Sequence, residues 1–136
     1  MTEQLSPLAL QALAVVEESG AIISANHAHP HTIRHKGRID LVTETDIAVE
    51  AFLKERLATL APQAGFLAEE SAEDLSLPDT CWIIDPVDGT TNFAHGLPLT
   101  VTSVAYRLNG EIVLGIVNAP LLRECFIAEK GKGAWR

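Results

Sequence analysis

Apolar positions recur with two different periods along this chain, and the change falls near Pro62. Before it, Leu10, Leu13, Val16 and Ile23 recur at helical spacing. They predict a helix from Pro7 to about Asn26, with Ser6 as N-cap and proline in the first turn. The polar stretch holding His27, His29, Pro30, His31 and His35 predicts a loop running into an extended segment, and residues 36–42 a short connection. A second helix is expected from Thr43, because Thr43-Glu44-Thr45-Asp46 sets an acid three residues after a hydroxyl, as in a capping box. Val49, Phe52, Leu53, Leu57 and Leu60 form its apolar stripe, and Pro62 ends it.

Beyond Pro62 the segments are shorter and read as strands. Gly65-Phe66-Leu67-Ala68 predicts a strand ending at the acidic pair Glu69-Glu70, and Cys81-Trp82-Ile83-Ile84 one ending at Asp85. Residues 99–108 and 111–117 flank Asn109-Gly110, the signature of a type I′ hairpin turn. Residues 124–128 form another strand, and Lys130-Gly131-Lys132-Gly133 turns into a final one. The order predicts an α+β fold with two N-terminal helices packed on a mainly antiparallel β-sheet.

Composition narrows the setting. A chain of 136 residues with 47% hydrophobic positions suits one ordinary domain with one core. No uninterrupted apolar run approaches the roughly 20 residues that span a bilayer, and the start lacks the basic and apolar regions of a secretory signal. Cys81 and Cys125 sit within or beside apolar runs and read as reduced core thiols of a cytoplasmic protein. A net charge of −8 and a pI near 5 repel nucleic-acid backbone, and no Lys/Arg stripe offsets them. The same charge repels a phosphorylated metabolite, so a phosphate ligand would require a cation recruited locally.

The acidic residues supply a place for one. Glu69 follows one strand, Asp85 and Asp88 follow another, and Pro86 stiffens the turn between the two aspartates. Two carboxylates about 4 Å apart repel by roughly 4 kcal/mol at an effective dielectric near 20, so a cluster of them protonates or binds a cation. Oxygen-only ligands favour a hard ion, Mg²⁺ before Mn²⁺. Gly89-Thr90-Thr91-Asn92 can open a short helix whose free amides face an anion, and the Thr90 hydroxyl can orient a water. The bland alternative is a polar loop, since Asp-Gly and Thr-Asn pairs are common turn formers.

The string Trp82-Ile83-Ile84-Asp85-Pro86-Val87-Asp88-Gly89-Thr90-Thr91-Asn92-Phe93 closely resembles the signature of the inositol monophosphatase family, within the Mg²⁺-dependent, Li⁺-sensitive sugar-phosphate phosphatases. Residues 40–46, Asp-Leu-Val-Thr-Glu-Thr-Asp, resemble its upstream motif, and Ala68-Glu69-Glu70-Ser71 its Gly-Glu-Glu-Ser motif, with alanine replacing the usual glycine. The resemblance implies that Glu69, Asp85 and the Val87 carbonyl hold metal and that Asp88 holds a second ion. It implies that Asp46 and Thr90 position and deprotonate the attacking water, with Glu69 beside them. The Gly89 and Thr90 amides would hold phosphate, and Lys36 would lie at the edge of the site.

It further implies a homodimer acting on a small phosphorylated metabolite, with no direct nucleic-acid or membrane partner. Residues 1–136 are then expected to be the N-terminal metal-binding α+β domain, without the C-terminal α/β domain that carries a last aspartate ligand. Such a chain would bind Mg²⁺ weakly and have little activity alone. The reference substrate is inositol 1-phosphate. Fructose 1,6-bisphosphate and adenosine 3′,5′-bisphosphate are the alternatives, and a non-catalytic protein-binding module on the same fold is the reading from another class. Trp82 and Phe93 are expected in the core, and Asp40 either braces its loop or touches metal. The alternation His27-Ala28-His29-Pro30-His31 reads as a solvated linker or as a Zn²⁺ or Ni²⁺ site.

Overall fold

The computed structural model describes residues 4–27, 38–68 and 78–136, with the backbone alone for residues 38–41. Helices α1 (Pro7–His27) and α2 (Arg38–Leu60) precede strands β1 (Gly65–Ala68) and β2 (Cys81–Asp88). A short helix α3 (Thr90–Ala94) follows, then β3 (Val101–Leu108), β4 (Glu111–Ala119), a 3-10 turn (Pro120–Leu122), β5 (Glu124–Glu129) and β6 (Gly133–Trp135). The strands form one sheet in chain order. β1 and β2 are parallel, and every later pair is antiparallel. This is the expected α+β class, with a mixed sheet.

The core lies between the two helices and one face of the sheet. Val49, Leu53 and Leu57 of α2 are fully buried, as are Val16 and Ile23 of α1. They meet Trp82, Ile84, Val104, Leu114 and Ile116 from the sheet. Trp82 lies opposite Tyr106 on the neighbouring strand with ring centroids 4.4 Å apart, an aromatic cross-strand pair. Phe93 is buried in the same core. The hairpin turn takes positive φ at both Asn109 (51°) and Gly110 (85°), as a type I′ turn requires.

The phase of α1 departs from the Leu10–Leu13 stripe. Leu10 is 38% exposed, and the buried face carries Ala9, Ala12, Ser19 and Gly20 beside Val16 and Ile23. Small residues let the helix approach closely: a Cβ on Gly20 would come within 2.8 Å of Asn118 Nδ2 and 2.9 Å of Pro120 Cβ. By length and composition α1 could cross a membrane, although no single apolar run does. Here its buried face packs on α2, β4 and the 3-10 turn, as a core helix does.

α2 also starts earlier than Thr43, at Arg38. Its inward stripe continues upstream from Val49 through buried Asp46 and Thr45 and part-buried Val42, so the packed face extends the helix by a turn. Thr43 to Asp46 therefore lie inside the helix and form no capping box. β2 likewise runs on to Asp88 instead of ending at Asp85.

Both cysteines are free. Burial raises the Cys81 thiol above its ordinary value, and burial with the Glu17 charge pushes Cys125 up to about 11. Both are held as neutral thiols.

Leu53→Ala empties a site that α2 closes against the sheet. It is expected to lower unfolding stability by about 2–5 kcal/mol, read from urea denaturation.

Candidate active site

Asp85 lies opposite Ser103 and Asp88 opposite Val101, so three steps along β2 span two along β3. One extra residue in β2 makes a bulge. In a regular strand, positions three apart face opposite sides of the sheet. Ser103 and Val101 are two apart and share a face, so the bulge brings Asp85 and Asp88 to that same face. Ile84, opposite Val104, points the other way into the core.

Local chemistry holds the bulge. Pro86 has no amide to lose from the ladder. Its carbonyl accepts a hydrogen bond of 2.8 Å from the buried Thr102 hydroxyl. Val87 is 2% exposed, its side chain anchored in the core between the two acids. Asp85 is half-buried and Asp88 exposed.

Immediately after Asp88 the chain must turn. Gly89 has φ +90°, and a Cβ there would lie 2.7 Å from the Leu99 carbonyl, so both conformation and space require glycine. The first backbone bond of α3 runs from the Phe93 amide to the Gly89 carbonyl, 3.0 Å. The Thr90, Thr91 and Asn92 amides precede it and have no intrahelical acceptor. Asn92 Nδ2 donates to the Leu99 carbonyl at 2.9 Å, closing the loop that returns to β3. Thr90 is exposed.

Asp46 comes from α2. It is 7% exposed and sits one helical turn before Val49 on the inward stripe. α2 packs on both β2 and α3, so the element bearing Asp46 lies against the elements bearing Asp85, Asp88 and Thr90. The preceding Thr45 is fully buried and accepts a 2.7 Å hydrogen bond from Asn26 Nδ2 at the end of α1. His27 ends α1. Its Nε2 lies 3.1 Å from the Gly96 carbonyl and its ring 6.0 Å from that of Phe93. His27 is therefore helical and not part of an extended histidine alternation.

Two carboxylates on one face, with the Val87 carbonyl between them in the chain, make an all-oxygen donor set that suits Mg²⁺. Among the described residues, no three His, Cys, Asp or Glu side chains gather at one point. Glu69, Glu70, Lys36, His29, His31 and His35 lie outside the described residues, as does the Asp40 side chain. Ala68, the last residue of β1, lies opposite Ile84, one residue before Asp85. The roles of Thr102, Asn26 and His27 were not read from sequence. For Thr102 a signal existed: strand alternation turns it inward, where a hydroxyl needs a partner.

Gly89→Ala is expected to strain the turn by about 1–3 kcal/mol, seen as a lower urea midpoint. It should also shift the Thr90 and Thr91 amide resonances relative to those of β4.

Residues 4–136 match the model of the inositol monophosphatase family. An inositol monophosphatase of Dictyostelium discoideum is 44% identical over 128 residues, covering 91% of this chain and 47% of that protein. The Nus factor SuhB of Salmonella typhimurium is 35% identical over 133 residues, covering 96% of this chain and 50% of that protein. The solved inositol monophosphatase of Anabaena superposes with a TM-score of 0.77 at 30% identity, over all of this chain and 47% of that one. The chain thus spans about half the length of the curated relatives it matches. Its match along nearly every described residue, in sequence and in fold, places it in the inositol monophosphatase family.

Proposed function

We propose that this chain supplies the metal- and phosphate-handling part of a Mg²⁺-dependent phosphatase. Its substrate would be the monoester of a small polyol or sugar, inositol 1-phosphate being the reference. The observation that supports this most is the β2 bulge, which turns Asp85 and Asp88 to one face directly before the Gly89–Thr90 helix start.

Glu69, Asp85 and the Val87 carbonyl would hold one ion, and Asp88 would hold a second. When bound there, Mg²⁺ supplies neutralisation of the phosphoryl charge and a lowered pKa for a nearby water. The Gly89 and Thr90 amides receive phosphate oxygens, because the first turn of α3 leaves them without acceptors. The Thr90 hydroxyl orients a water, and the Asp46 carboxylate takes its proton as the water oxygen attacks phosphorus. The phosphorus–ester oxygen bond breaks with its electron pair on the ester oxygen, which takes a proton from solvent and leaves as the alcohol. Asp46 returns its proton to solvent, and no phosphoenzyme forms. Lys36, which the resemblance assigns to the edge of the site, would offset phosphate charge in an otherwise acidic protein. The two free thiols support a reducing, cytoplasmic setting, and the family relationship supports a homodimer.

A chain half the length of its relatives is proposed to bind Mg²⁺ weakly and turn over slowly alone. Calorimetric titration of Mg²⁺ and phosphate release from inositol 1-phosphate, fructose 1,6-bisphosphate and adenosine 3′,5′-bisphosphate test this. The chain should bind Mg²⁺, Asp85→Asn and Asp88→Asn should lose that binding, and a protein spanning the full family length should turn over faster. Asp46→Asn should keep Mg²⁺ binding and lower kcat by roughly 10²–10⁴. Unchanged Mg²⁺ heats in both ligand variants, or turnover without Mg²⁺, would sink the reading. Mg²⁺-independent capture of a protein partner would instead favour the interaction module.

A further inference from the structure

α1 is held by contacts at its start, along its length and at its last turn. At its start, the Ser6 amide donates to Glu129 Oε1 at 2.8 Å and the Ser6 hydroxyl to the other carboxylate oxygen. In its middle, Gly20 is seated against Asn118 and Pro120 with no room for a methyl group. Its last turn presents two neighbouring polar side chains. Successive helical residues are about 100° apart, so neighbours reach different elements. Asn26 reaches α2, donating to the Thr45 hydroxyl next to Asp46. His27 reaches the far end of α3, where its Nε2 donates to the Gly96 carbonyl and its ring meets Phe93.

We propose that Asn26 and His27 form a two-pronged brace across α2 and α3, acting as positioning residues that set the separation of Asp46 and Thr90. This rests on the assignment of those two residues to the proton-transfer pair. A basic residue in the last turn of a helix is favourable for the helix dipole alone, but that role requires no contact with α3. Nor does helix capping explain the reach of Asn26 to a fully buried hydroxyl on a second helix. The carbonyl of Gly96 can only accept, so His27 carries its proton on Nε2 in this contact.

The tests use His27→Ala, His27→Gln and Asn26→Ala. Glutamine keeps a donor for Gly96, so it separates the hydrogen bond from the imidazole. Amide hydrogen exchange is measured at Phe93 and Gly96, whose amides bond within and just after α3, with β3 and β4 as the internal reference. His27→Ala should speed exchange at Phe93 and Gly96 at least fivefold with β3 and β4 unchanged, and His27→Gln should restore it. In a protein that releases phosphate with Mg²⁺, both alanine variants should lower kcat about tenfold with KM within twofold, because misplaced reacting groups lose rate before binding. Unchanged exchange in α3, or unchanged kcat in an active protein, overturns the brace. Loss of exchange protection throughout the sheet also overturns it, since the residues would then be general stabilisers. Absence of Mg²⁺-dependent phosphate release in the unmodified protein overturns the phosphatase reading instead, and the exchange measurement still decides the brace.

Discussion

The Thr102 hydroxyl bonded to the Pro86 carbonyl holds one extra residue in β2, and the chemistry of the site depends on that residue. Without it, Asp85 and Asp88 would project from opposite faces of the sheet, one of them into the core. An unpaired carboxylate there would be strongly unfavourable. With it, both acids reach one face while Val87 still fills the core, so core packing is kept while two carboxylates share a surface. Proline suits the position because it has no donor to leave unpaired. The constraint then passes directly to Gly89, whose left-handed conformation starts α3 immediately after the second acid.

The helices set the other side. α2 brings Asp46 at the polar end of a stripe that is otherwise aliphatic, so the packing of Val49, Leu53 and Leu57 on the sheet also positions a carboxylate. That packing depends on α1, whose small inward residues allow close contact at some loss of intrinsic helix propensity, about 1 kcal/mol for Gly20. Close packing of this kind transmits position well, because interiors yield little to displacement. The contacts of Asn26 and His27 carry that rigidity from α1 to the two elements around the site.

The electrostatic logic is consistent with this arrangement. A protein of net charge −8 that concentrates carboxylates on one strand end lowers its own affinity for anions. A hard cation held there would remove that conflict and draw phosphate to the same place. Asp88 remains exposed, so water screens its repulsion with Asp85 in the absence of an ion.

Much of this was legible in the residues alone. The α+β class followed from the change of period near Pro62, and the hairpin from Asn109-Gly110, because turn chemistry is local and few residues accept positive φ. The family followed from residues 82–93, a string long enough to be specific. Asp85 and Asp88 stand out in the sequence as candidate ligands, but their shared face does not, because a bulge is defined by the partner strand. The start of α2 at Arg38 is not legible in the sequence, because Thr45 and Asp46 are polar residues buried by their neighbours. Nor is the phase of α1, because small residues, not leucines, mark where another element comes close. Local residue patterns carry the type and order of the main elements and the chemical groups on them. Which of those groups face one another depends on register, burial and helix phase, and these are set by residues far apart in the chain.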